Sequence, residues 1–151
     1  MPEAIETAVF ESAAKVFETS AFMSVYPWED GNELPMPDIS ATMKFSGHSN
    51  GWLTLQLVSR ILDMLAENML GEPPEGDDAD EKRQDALKEV LNMICGNFLT
   101  QWAGEEPVFE LSPPTIVDLN TPESNEGPST PVSVLFNLED TCARILVCTG
   151  C

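Results

Sequence analysis

The stretch Gly71–Trp102, GEPPEGDDADEKRQDALKEVLNMICGNFLTQW, decides how the rest of the chain is read. Its opening, GEPPEGDDAD, mixes Gly and Pro with acids and reads as a solvated linker. The aspartates stand where a helix N-terminus favours negative charge and a cap. From about Ala79 to Ala103 no proline occurs, and Gly96 is the one interior break. This predicts a long helix of roughly 35 Å at 1.5 Å per residue, stopped by Gly104. Advancing about 100° per residue separates two faces. Leu87, Val90, Leu91, Ile94 and Phe98 form an apolar stripe that must pack on other structure. Asp85, Glu89, Asn92 and Gly96 follow one another at spacings of four, three and four, and stack into one ridge on the opposite side.

Toward the N-terminus, Ile5, Val9, Ser12/Ala13, Val16, Phe17 and Ala21 recur at helical spacing, predicting an amphipathic helix from Pro2 to about Met23. YPWEDGNELPMP, broken by prolines and a glycine, reads as a surface connection. Asp38–Ser46 and Trp52–Ser59 read as strands joined by the tight turn Gly47–Gly51. A short helix, about Arg60 to Leu70, ends at Gly71. Toward the C-terminus, EPVFELSPPTIVDL reads as a strand interrupted at Pro113-Pro114. NTPESNEGPST has a mobile loop's composition, and PVSVLFNLEDTCARILVCTG alternates as a second hairpin. Helix followed by hairpin thus occurs twice, over residues 3–58 and 79–149, which suggests an internal duplication of architecture. The expected fold is α+β in a single domain spanning residues 1–151. A mostly antiparallel sheet of about five or six strands carries two long helices, with the short helix on its periphery.

The chain has 151 residues, with 26 Asp+Glu against 7 Lys+Arg, a net charge of −19. Binding to a phosphate backbone or an anionic leaflet needs Lys/Arg clusters, and there are none, so neither nucleic acid nor membrane is an expected partner. No secretory leader or apolar span is recognised, which makes a cytoplasmic address the expectation. Cys148 and Cys151 form a C-x-x-C that could be a redox pair or half a zinc site, but no second half accompanies it. Free structural thiols are the expectation for these and for Cys95 and Cys142. His48 sits in the turn SGHSNG and is the only histidine, so a histidine-activated nucleophile or a multi-histidine metal site is hard to build, and no catalytic role is expected of His48.

An ordinary solvated face would account for Asp85 and Glu89, but less readily for Asn92 and Gly96. Asparagine is a weak helix former, and glycine costs about 1 kcal/mol against alanine in a helix interior. A ridge carrying both suits the approach of another molecule, with Gly96 admitting its backbone. Asn97, at the edge of the apolar stripe, is expected to satisfy a buried backbone group.

Residues 71–102 resemble the central region of the CheX-like branch of the CheC/CheX/FliY chemotaxis phosphatase family. That family's signature is Asp or Ser, three residues, Glu, two residues, Asn, matched by Asp85, Glu89 and Asn92, with a familiar Gly-Asn pair supplied by Gly96-Asn97. The signature continues to a proline after some 22 residues; here Pro113 and Pro114 come after 20 and 21. The resemblance implies a phosphatase for the phospho-aspartate of a CheY-like response regulator. Asn92 would orient the attacking water and Glu89 would pair with the receiver's active-site lysine. Asp85 and Gly96 would belong to the partner-binding surface. It implies no cofactor or metal of the chain's own, the Mg²⁺ coming with the receiver, and a possible homodimer through strand edges. Two-site members carry a second Glu and Asn on the first helix. Here Glu11 and Ala14 stand in those places, so one active ridge per chain is expected. The rival expectation is a response-regulator or motility-complex binding module that docks without hydrolysis.

Overall fold

In the computed structural model, residues 2–119 and 130–150 are described. Three helices, α1 (Pro2–Ser20), α2 (Ile61–Leu70) and α3 (Ala79–Ala103), accompany seven strands: β1 (Val25–Pro27), β2 (Ile39–Gly47), β3 (Gly51–Leu57), β4 (Phe109–Leu111), β5 (Thr115–Val117), β6 (Val132–Leu138) and β7 (Thr141–Thr149). The strands form one sheet in the order β1-β6-β7-β3-β2-β4, with β5 also on the outer side of β2, and every pairing is antiparallel. The fold is therefore the α+β arrangement expected, with one strand more than the upper expectation. The loop expected over residues 120–130 lies outside the described residues except for Thr130, as does Cys151.

The strand order carries the duplication. Exchanging β1, β2 and β3 for β4, β6 and β7 turns the order into its own reverse, so the halves are related by a pseudo-two-fold axis running between β3 and β7. Each half lends a short strand to the other: β1 extends the second hairpin, and β4 extends the first. Along the central pair, Leu53, Leu55 and Leu57 of β3 alternate toward the helices beside Val147 and Ile145 of β7. They meet Val9, Val16 and Phe17 of α1 and Leu87, Val90, Leu91, Ile94 and Phe98 of α3 in one cluster, nearly all without solvent exposure. Burial of this apolar surface supplies the main drive for folding. α1 and α2 both pack on α3.

Three local readings are corrected by the structure. α1 stops at Ser20 instead of near Met23, because Phe22 adopts a left-handed conformation (φ 55°) that turns the Met23 N–H back to the Phe17 carbonyl at 2.9 Å. Tyr26 and Pro27, read as the start of a loop, belong to β1; three residues are too few for an alternation signal, and the partner strand β6 is remote in sequence. Asp78 occupies the N-cap of α3 but makes no side-chain cap bond. Its carboxylate lies 3.6 Å from Lys82 Nζ instead. The stop glycines are as expected, Gly71 and Gly104 both having φ 87°.

Cys95 and Cys142 are buried free thiols, and burial pushes the Cys95 thiol up to about 12, so it stays protonated and inert. Cys148 is disulfide-bonded, contrary to the expectation of a free thiol. No helix among the described residues is long and apolar enough to cross a membrane.

Candidate functional site

α3 buries Ala86, Leu87, Val90, Leu91, Ile94, Cys95, Phe98 and Leu99, and this apolar stripe fixes the rotation of the helix on the sheet. The opposite line is thereby turned outward. Asp85, Glu89 and Asn92 are exposed, and Gly96 continues the line half-buried. Asn97 is half-buried and donates from Nδ2 to the half-buried Met93's carbonyl, one turn back in its own helix, at 3.0 Å, and not to the buried backbone group expected.

A second wall faces the ridge, and two prolines explain its shape. β4 and β5 run along the same outer edge of β2, with β4 opposite Phe45–Gly47 and β5 opposite Ser40–Thr42. Between them the edge strand is interrupted by Pro113 and Pro114, which have no N–H to give to a ladder. Ser112 secures the break from both sides: its N–H bonds the Lys44 carbonyl at 2.9 Å, and its Oγ accepts the Lys44 N–H at 2.8 Å. The displaced turn, with Leu111, Ser112, Pro113 and Pro114, then closes an open cleft of about 420 Å³ against Asp85, Lys88, Glu89 and Asn92 of α3. The two prolines that miss the signature spacing by a residue or two therefore stand across the cleft from Asn92. Gly96 lies on the same ridge but does not line the cleft.

On the α3 side of the cleft the polar side chains are unengaged. Among the described residues, Asp85, Lys88, Glu89 and Asn92 have no hydrogen-bond or ion-pair partner. Such a set, two carboxylates, an ammonium and a carboxamide, can hold a water, receive a cation and meet an anion. Among the described residues no group of His, Cys, Asp and Glu could hold a metal ion. Lys88 and the Leu111–Ser112 wall were not singled out as site residues from sequence. Lys88 stands four residues before Asn92, and that spacing alone places it on the cleft side.

The corresponding ridge of α1 is differently disposed. Glu11 accepts a hydrogen bond from Gln101 Nε2, and Gln101 Oε1 accepts one from Ser12 Oγ at 2.9 Å, so the first-helix carboxylate is tied into the α1–α3 seam. Ala14 beside it is half-buried and has no polar side chain. Glu89 and Asn92 have no such internal use.

No curated protein sequence matches the chain. Among solved structures, the chemotaxis protein CheX from Desulfovibrio desulfuricans superposes with TM-score 0.76 at 21% identity, covering 96% of this chain and 98% of that one. CheX from Vibrio vulnificus gives TM-score 0.74, also at 21% identity, with 96% and 98% covered. The Borrelia burgdorferi CheX–CheY–BeF3–Mg²⁺ complex gives 0.67 at 19% identity, with 95% and 96% covered. At these identities the likeness is one of fold. The family model "Chemotaxis phosphatase CheX" matches residues 39–137, a span that includes the central hairpin, α3 with its ridge and the Pro113-Pro114 wall. By that match, the chain belongs to the CheX family of chemotaxis phosphatases.

Proposed function

We propose that this chain hydrolyses the aspartyl phosphate of a CheY-like receiver domain, using Asn92 to orient the water and Glu89 to anchor the receiver. The observation that carries the reading is the Asn92 carboxamide, exposed on a helix that buries its other face and without a hydrogen-bond partner among the described residues. An acyl phosphate is a mixed anhydride and already activated, so the enzyme's task is alignment more than bond activation. In this reaction the water oxygen bonds to phosphorus and the bond from phosphorus to the aspartyl oxygen breaks. The electron pair returns to the carboxylate, and the water's proton leaves with the phosphate product or to solvent. Asn92 Oδ1 accepts a hydrogen bond from the water and holds it in line. No covalent intermediate on this chain is needed, in keeping with a cleft that contains no Ser–His or Cys–His pair.

Glu89, one turn below Asn92 and unpaired, is free to receive the ammonium of the receiver's active-site lysine. The Mg²⁺ needed to offset phosphoryl charge comes with the receiver. The partner class is supported by the B. burgdorferi relative, which was solved with CheY, BeF3 and Mg²⁺; beryllofluoride has the shape and charge of a phosphoryl group.

The deciding experiment measures phosphate lifetime on purified receivers from the same cell, with and without the chain. Faster loss of phosphate is expected; an unchanged lifetime with binding intact would leave only a docking module. Within that assay Glu89→Ala is expected to raise the receiver's dissociation constant by about tenfold, the scale of a lost close charge pair. An unchanged constant would remove Glu89 from the anchor.

Gly96 gives a separate prediction. Beyond the adjoining backbone of its own helix, a Cβ at this position would meet nothing within 4 Å, so neither internal packing nor its backbone conformation calls for glycine there. Gly96→Ala is expected to stabilise α3 by about 1 kcal/mol, raising the melting temperature by about 2–4 °C, while weakening receiver binding about tenfold through a methyl group placed in a close contact. Stabilisation without loss of binding would take Gly96 out of the docking surface.

A further inference from the structure

We propose that Lys88 is a positioning residue of this site, whose ammonium pairs with a carboxylate of the receiver flanking its Mg²⁺ pocket; the inference rests on the receiver-phosphatase reading above. Lys88 lines the cleft and is half-buried, so its aliphatic stem is held there. The ammonium has no ion pair among the described residues, although Asp85 is three residues before it and Glu89 adjacent. Its nearest cationic neighbours along α3 behave otherwise: Lys82 pairs with Asp78, and Arg83 bridges Asp63 and Asp80 at 2.5 and 2.6 Å. In a chain with 26 acids and 7 bases, a half-buried cation left unpaired in a cleft beside two carboxylates is available to a partner outside the chain. The opposite wall of the cleft, Leu111 to Pro114, offers no charge.

The chemistry of the incoming surface supplies that partner. A site that holds Mg²⁺ is built from oxygen ligands, carboxylates foremost, so the receiver pocket presents negative charge around its phosphoryl group. Asp85 and Glu89 repel such a rim, and Lys88 is the group in the cleft that attracts it. The pairing is with a flanking carboxylate and not with the phosphoryl group itself. Lys88 stands one turn before Asn92, about 6 Å along the helix axis from the amide that aims at phosphorus.

Lys88→Met keeps the stem and removes the charge. Binding is measured by titrating the full chain into a CheY-like receiver, both unloaded and loaded with beryllofluoride and Mg²⁺, and turnover by phosphate lifetime. The expected result is about a tenfold rise in dissociation constant with both receiver forms and in KM, with kcat retained. Lys88→Arg is expected to recover binding. Lys15→Met, an exposed charge on α1, makes the same change in net charge and is expected to bind as the parent does, which separates local pairing from long-range attraction. Parent-like binding of Lys88→Met to both forms overturns the proposal. So does a loss confined to the loaded receiver, which would assign the contact to the phosphoryl group. A parent chain that neither binds nor hydrolyses overturns the reading beneath it, and the two failures are thereby told apart.

Discussion

Asn92→Ala is expected to leave a chain that binds the phosphorylated receiver nearly as the parent does but shortens its phosphate lifetime at least a hundredfold less effectively. Removing one preorganised polar group that acts on the reacting centre costs about 100- to 1,000-fold in kcat. A comparable water-orienting amide serves small GTPases. The structure gives reason to expect the effect in kcat alone. The Asn92 side chain is exposed, and no hydrogen bond among the described residues is lost with it. Alanine is the better helix former, so α3 is, if anything, reinforced. Stopped-flow dephosphorylation at saturating chain gives kcat, and titration of the beryllofluoride-loaded receiver gives affinity. If turnover survives the substitution, the water is oriented by something other than this amide. Asn92→Asp is a useful companion, since it keeps an oxygen in place but sets a negative charge against the incoming phosphoryl group. It too is expected to turn over poorly.

The contrast between the two long helices separates what local sequence pattern dictates from what only packing between distant segments creates. For α3 the periodicity of Leu87, Val90, Leu91, Ile94 and Phe98 sets which side is buried, so the outward direction of Asp85, Glu89 and Asn92 follows from local pattern. Bounds of 79 and 103 follow from the aspartate-rich lead-in and Gly104. The second wall of the cleft was not legible. Pro113 and Pro114 announce a broken strand, but their place opposite Asn92 arises because β4 and β5 share one edge of β2, a pairing between segments far apart in the chain. The three-residue strands β1, β4 and β5 are below the length at which alternation carries information. Two of them, β1 and β4, are exchanged between the halves and give the strand order its symmetry, while β5 lengthens the edge without a counterpart. Likewise Ala14 could be seen to have no amide, whereas the locking of Glu11 by Gln101 needed the packing of α1 on α3.

The seam on the pseudo-two-fold axis is where the chain is expected to be least tolerant, and Gly51 tests it. In the sequence Gly51 reads as part of a turn, with glycine serving to relax the backbone. Its role in the fold is different. It is the first residue of β3, paired with Phe45 on one side and Thr149 on the other, and it leaves room for both neighbours. A Cβ there would overlap the Cys148 carbonyl oxygen and stand 2.5 Å from Phe45 Cζ, a ring only 2% exposed. Neither obstacle is the free end of a flexible chain: one is backbone of β7 and the other is core. Gly51→Ala therefore forces apart the strands that join the two halves, at a cost of about 3 kcal/mol, the upper range for overpacking a tight interior. That corresponds to a fall of roughly 6–12 °C in melting temperature for a chain of this size. Hydrogen exchange localises the damage: faster exchange is expected at the facing amides of β3 and β7 while those buried in α3 keep their protection relative to global stability. A melting temperature within 2 °C of the parent would show that the β3–β7 seam yields without penalty. The two halves would then be held together by the packing of α1 on α3 and not by their shared sheet.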